Sequence, residues 1–367
     1  MKIQNSFVMA ATAACLISTS LAHADVSFGS SARLLGMGGA GIAVVDRADH
    51  NTGLNPAALA LNNRRSQIFF PNVGLHASGI PIKEAYKHLI QNPGANDAVD
   101  LARDFGGQNS EFSAALGFGA RVGHMDAMTT GIGLVRIIPN ADLKNWSKTG
   151  NGDLTKLNGN EKADVYGAAI YSLPIIGAAE RISPKGSPIR VEAGTRIKLS
   201  RSVYTHYLVS SSNIMNNTVA TPASELGSGT TITKDGIGVD FGLLAHPTSH
   251  QGFSVALLVN NLLDPGFRIA GTDVNGNPAK FDLQPRSITV GSALEAGKFL
   301  FVADAVDITR AYGNVQGRLG MELTTRKVSY RLGYSSARGF TAGIGWRFVQ
   351  VAFGARAPLE IIKTLRF

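Results

Sequence analysis

Apolar and polar residues alternate with a period of two over segments of about ten residues along much of the chain. Arg190 to Leu199 shows this best. Val191, Ala193, Thr195, Ile197 and Leu199 fall on one side, and Arg190, Glu192, Gly194, Arg196 and Lys198 on the other. Successive side chains of a strand point to opposite faces. The second set suits a hydrated interior and not a soluble core. From Asp235 to His246, Ile237, Val239, Phe241, Leu243 and Ala245 alternate with Gly236, Gly238, Asp240 and Gly242. Val315, Leu319, Met321 and Leu323 stand against Gln316, Arg318 and Glu322; Val328, Tyr330, Leu332 and Tyr334 stand against Ser329, Arg331 and Gly333. Phe340, Ala342, Ile344, Trp346 and Phe348 form a further outward row. Segments of this kind are the mark of a transmembrane barrel.

The pattern predicts strands at 66–79, 111–123, 127–139, 163–173, 188–209, 231–246, 251–263, 284–295, 298–308, 313–324, 327–336, 339–348, 350–356 and 358–367. The expected fold is all-β, a transmembrane antiparallel β-barrel of about 14 strands, with 12 the alternative. Connections near 80–110, 144–162, 210–230 and 264–283 are long and polar, while those near 124–126, 247–250, 296–297 and 325–326 are tight. Barrels of the outer membrane have long outside loops and short periplasmic turns. The stretch 174–187 reads as one periplasmic connection longer than that rule expects. In the first long loop, Lys83 to Ile90 and Asp97 to Phe105 carry helical spacing. Two readings stand: short helices that cap the barrel mouth, or an apolar platform where a lipid-like ligand first lands.

The first residues carry an export signal. Lys2 supplies a positive start, Phe7 to Ile17 is apolar or small, and Ala22-His23-Ala24 precedes Asp25. That layout predicts a signal peptide over 1–24, cleaved after Ala24, a segment at 25–63 and a barrel at 64–367. The sole cysteine, Cys15, lies inside the signal, so the mature chain would hold no disulfide, thiol nucleophile or Cys-ligated metal. The net charge of +9 becomes +8 without Lys2, which suits contact with outer-membrane lipid and lipopolysaccharide. Lys and Arg are scattered with no basic run, so nucleic acid is not an expected partner. No apolar run after the signal approaches the roughly 20 residues of a membrane helix.

Residues 25–63 hold Gly36, Gly38, Gly39 and Gly41, and then Asn55, Pro56 and Ala57. Gly36, Gly38 and Gly41 fit G-x-G-x-x-G, but no βαβ unit surrounds them, and a dinucleotide site needs that context. The alternative is mechanical. Glycines allow close backbone approach or positive φ, and Asn-Pro sets a turn, so the segment suits a plug or hatch inside the barrel.

Leu35-Gly36-Met37-Gly38-Gly39-Ala40 followed by Asn55-Pro56-Ala57 resembles the start of the FadL/PorV-like outer-membrane barrels, a group that includes barrels known as conjugal transfer protein TraF. Gly238 to Leu244 and Val259-Asn260-Asn261-Leu262 are similar to strand motifs of the same group. The resemblance implies a fourteen-stranded barrel, an N-terminal luminal hatch and passage of hydrophobic small molecules such as long-chain fatty acids. It equally implies a second role, a non-transporting barrel that anchors a secretion or conjugation apparatus. Terminal Phe367 with Leu365 matches the signal read by the barrel-assembly machinery, although Lys363 interrupts that row.

Candidate chemistry adds little. G-x-S-x-G, H-E-x-x-H and paired cysteines are absent from the sequence, so neither an enzyme nor a cofactor is expected. A hydrolase with a Ser–His pair has no local pattern behind it. His246 and His250 are four apart, but they flank Pro247 in a predicted turn, which does not suit a metal. Arg190, Glu192, Arg196, Lys198 and Asp240 are expected to line the lumen, either as a selective path or as a network that holds the hatch.

Overall fold

A computed structural model of the chain describes residues 32–45, 54–61, 66–78, 102–104, 106–150, 153–215, 232–248, 252–272, 278–282, 284–311, 314–337, 339–346, 349–354 and 360–363. The expected signal peptide, the helix at Lys83–Ile90, His250 and the terminal Leu365 and Phe367 lie outside these residues.

Fourteen antiparallel strands close into one barrel. They are β1 (Gln67–Ser78), β2 (Ser110–Val122), β3 (Met125–Pro139), β4 (Lys162–Arg181), β5 (Ile189–Ser210), β6 (Ile232–Pro247), β7 (Gly252–Leu263), β10 (Ser287–Ala296), β11 (Phe299–Val306), β12 (Gln316–Thr324), β13 (Val328–Ser335), β14 (Gly339–Trp346), β15 (Val349–Gly354) and β16 (Glu360–Lys363). Two more strands, β8 (Arg268–Thr272) and β9 (Pro278–Asp282), pair only with each other. The barrel closes where β1 meets β16, with Asn72 opposite Ile362 and Val73 opposite Ile361. Closure leaves no open edge, which is what lets a sheet satisfy its backbone inside lipid.

All fourteen expected barrel strands are present, with two departures. β4 continues through Leu173-Pro174 to Arg181, so the expected connection at 174–187 shrinks to 182–188. Pro174 has no N–H to donate and reads as a strand end. The register instead shifts between Ser172 and Ile175, a bulge that carries the proline. The second departure is the β8–β9 hairpin, which folds within the long 264–286 connection.

The two faces follow the alternation. Ile197, Ile237, Tyr330, Leu332, Phe340, Ile344 and Trp346 are exposed on the outside. Glu192, Arg196, Lys198, Asp240, Arg318, Glu322 and Arg331 are buried inside. An apolar exterior over a charged interior inverts a soluble protein and matches a barrel in a bilayer. Connections alternate long and short, which by the same rule sets the strand ends that border 79–109, 140–161, 211–231 and 264–286 on the outer side. On that side, Leu143 and Trp146 pack with Ala163 and Ile214 into a small apolar cap. Of the expected helix at Asp97–Phe105, residues 102–104 are helical, and Ala102 packs against this cap.

Candidate functional site: a filled lumen below an aromatic patch

The described N-terminal residues lie inside the barrel. Ala32–Gly36 is one short helix, packed on β13, β14, β15 and β16. Gly39 N–H donates to Leu34 O (2.7 Å) and Gly38 N–H to Leu35 O (3.0 Å). This Schellman pattern ends the helix, and it needs the left-handed φ of +72° that Gly38 adopts. Pro56–Leu61 forms a 3₁₀ helix against β4, β5 and β6. Asn55 Oδ1 caps it by accepting from Ala57 N–H (3.0 Å). Between them, Leu34, Met37, Ala40, Ile42, Ala43 and Val44 form a dry core with the inward Leu244, Ala256, Leu258, Leu300 and Val302.

The wall is shaped to receive this segment. A Cβ on Gly333 would lie 2.1 Å from Gly38 N, and one on Gly320 would lie 2.5 Å from Met37 Cβ. Across the barrel, a Cβ on Gly194 would stand 2.5 Å from Pro56 C, and one on Gly242 would stand 2.0 Å from Asn55 Oδ1. Backbone of the segment thus touches backbone of the wall, which only glycine permits.

Polar anchors hold both ends. Glu322 accepts from Arg33 Nε (2.9 Å) and Nη2 (2.8 Å), and also from Arg331 Nε (2.6 Å). All three side chains are at most 3% exposed. Asp304 Oδ2 accepts from Gly41 N–H (2.7 Å) and Ile42 N–H (3.2 Å). Arg318 Nη1 donates to Gly39 O (3.1 Å), Ser254 Oγ to Ala43 O (2.7 Å), and Gly38 N–H to Thr341 Oγ1 (2.9 Å). Asn55 Nδ2 donates to Ile42 O and to Leu243 O on the wall, both at 3.2 Å. Arg121 donates to Leu59 O.

Of the residues expected to form a hatch, Gly36, Gly38, Gly39, Gly41, Asn55, Pro56 and Ala57 are all buried in the lumen. Of the expected lining residues, Arg196 pairs with Asp126 (2.7 Å) and Lys198 with Asp240 (2.7 Å). Lys198 Nζ also reaches Asn261 Oδ1 at 2.7 Å. Glu192 Oε2 lies 3.2 Å from His246 Nε2, so the histidine faces a carboxylate. Arg190 is half-buried near the turn end, and its Nε has no partner among the described residues. Within the described residues, no group of three or more His, Cys, Asp or Glu could hold a metal.

Sequence reasoning missed a second luminal feature, on the loop side. Tyr166 and Tyr204 are buried together, with Ile138, Ala168 and Ile232 packed against them. The Tyr166 ring stacks on His206 at 4.6 Å. Ile132 and Ile170 continue the apolar lining. The signal was masked because the neighbouring outward positions, Tyr171 and Leu173, are apolar too, so both faces of β4 look alike.

A closed, plugged barrel with an apolar outer band is a membrane-spanning protein of the outer-membrane class. Its fold is FadL-like, as the N-terminal motif implied: the Ralstonia pickettii toluene transporter TbuX superposes with a TM-score of 0.51 at 15% identity, covering 93% of this chain and 99% of that chain. The Pseudomonas putida toluene transporter TodX is similar with a TM-score of 0.44 at 13% identity, covering 92% and 96%. No protein-family model matches the chain, and no curated protein matches its sequence.

Proposed function

We propose that the chain is an outer-membrane channel for passive uptake of hydrophobic small molecules, long-chain fatty acids among them, in which the N-terminal segment acts as a hatch. The supporting observation is the vertical order of the lumen. An apolar, aromatic patch on the loop side lies above a segment anchored by replaceable polar contacts. A ligand that leaves water gains about 25 cal/mol for each Å² of apolar surface it buries in such a patch. Movement of the segment then opens the path below. The chain carries no catalytic role in this reading and uses no cofactor. Its partners are the ligand, outer-membrane lipid and lipopolysaccharide, and the barrel-assembly machinery that reads Leu365 and Phe367.

A specific observation favours a second reading. The segment is held by buried ion pairs and a dry apolar core, which suits a permanently closed barrel that anchors a secretion or conjugation partner. One experiment separates the two. Cells lacking their own transporter express this chain, or the chain without Asn55, Pro56 and Ala57, and uptake of a labelled long-chain fatty acid and of a labelled uncharged hydrophobic probe, an alkylphenol, is measured. Uptake that changes with the deletion supports the channel. No uptake of either probe, with the barrel confirmed in the outer membrane, supports the anchor, and pull-down should then recover a stable partner protein.

A further inference from the structure

The aromatic patch carries two acceptors that its packing does not use. Asp164 is 1% exposed, and its Oδ1 lies 3.1 Å from His206 Nε2. Its Oδ2 has no hydrogen-bond partner among the described residues. Glu111 is 6% exposed, and its Oε2 accepts from Arg136 Nε (2.9 Å) and Nη2 (2.5 Å). Its Oε1 is likewise unpartnered among the described residues. The pairing register places these groups on one inward row. Glu111 stands opposite Arg136, Arg136 opposite Tyr166, and Tyr166 opposite His206. Asp164 is two residues from Tyr166 on the same face of β4. His206 is 24% exposed on its side chain, so the row is open to an incoming molecule at that point.

We infer that this row is a ligand site that selects an aromatic or apolar body carrying a hydrogen-bond donor, a phenolic or alcoholic hydroxyl, over a plain hydrocarbon or a carboxylate. Three arguments carry it. Buried acceptors without partners are rare, and one facing a binding surface is satisfied when a ligand brings a donor. The Tyr166–His206 stack and Tyr204 offer ring faces and edges on which a second aromatic ring packs. A ligand carboxylate would meet two carboxylates, and Arg136, the guanidinium of the row, is already engaged by Glu111. The inference rests on the channel reading in its general form, uptake of hydrophobic small molecules, and ranks hydroxyl-bearing ones above fatty acids at this row.

The test uses the full-length barrel in detergent micelles and equilibrium dialysis with three labelled probes of one shape: para-ethylphenol, ethylbenzene and para-ethylbenzoate. The phenol is expected to bind about tenfold more tightly than the hydrocarbon, the gain of one hydrogen bond to a charged acceptor, with the benzoate weakest. Asp164→Asn should narrow the preference for the phenol over ethylbenzene. Equal binding of phenol and hydrocarbon by the wild-type barrel, or tightest binding of the benzoate, overturns the inference while the channel reading stands. A folded wild-type barrel that binds none of the three overturns both. The wild-type series decides the matter even if the variant fails to assemble.

Discussion

The Glu322 carboxylate is held between two guanidinium groups, one from the N-terminal segment and one from the wall. Removing one partner of a buried pair costs more than the pair itself contributes, about 3–5 kcal/mol, because a charge is left buried and uncompensated. Glu322→Gln should therefore loosen the N-terminal anchor. The expected result is a lower unfolding midpoint in detergent and frequent opening events in planar-bilayer recordings, against a quiet wild type. Gly333 tests the same contact sterically. Gly333→Ala would set a methyl group against Gly38 N, within 2.1 Å, where backbone and not a flexible side chain must yield. Cells carrying it should become sensitive to large antibiotics that the outer membrane normally excludes, while the barrel still runs as a folded species in unheated gels. Unchanged sensitivity would mean that the segment does not seal the lumen.

At the level of elements, the strands were readable and their partners in the lumen were not. Alternation marked Arg318, Glu322 and Arg331 as inward, since each sits in phase with its outward neighbours. That Arg33 joins Glu322 and Arg331 depends on where a five-residue helix docks, and no periodicity encodes a docking site. Glycine spacing suited residues 36–41 to close approach or positive φ; the structure shows both, with Gly320 and Gly333 as the other half of the contact. β4 misled because Pro174 imitates a terminus, and its apolar outward positions, Tyr171 and Leu173, hid the aromatic patch on the inner face. The loop-side cap was partly legible as apolar spacing in 97–105, but its centre is Trp146, in a loop read as merely polar. Trp146 is 3% exposed and its Nε1 donates to Asp153 O at 3.0 Å. Trp146→Ala should cost about 3–5 kcal/mol locally. Because the cap is separate from the luminal core, external protease should cut residues 140–161 in this variant while the barrel itself remains intact.

At the scale of the whole molecule, the outer surface makes the membrane claim testable. Leu332 is 57% exposed on β13, between the aromatic Tyr330 and Tyr334 of the same outward row. Leu332→Arg should destabilise the barrel in phospholipid vesicles by about 2–4 kcal/mol if that position lies near the bilayer midplane. A protein surrounded by water would tolerate it within about 0.5 kcal/mol. The charged lumen beneath this band is equally consistent with a barrel: ion pairs join adjacent strands, β12 to β13 at Glu322–Arg331 and β5 to β6 at Lys198–Asp240, and Arg196–Asp126 ties β5 to β3 across β4. The Arg33–Glu322 pair has a different consequence. Its members are 289 residues apart in the chain, and Gly38 meets Thr341 across 303. This N-terminal segment thus finds its partners only when β12 and β14 exist, so assembly carries a long wait that a local hairpin does not. Seating of residues 32–61 therefore follows formation of β12 and β14, which carry Glu322 and Thr341. Docking of the segment is then a late step of biogenesis, and a chain shortened from its N-terminus should reach its final form sooner.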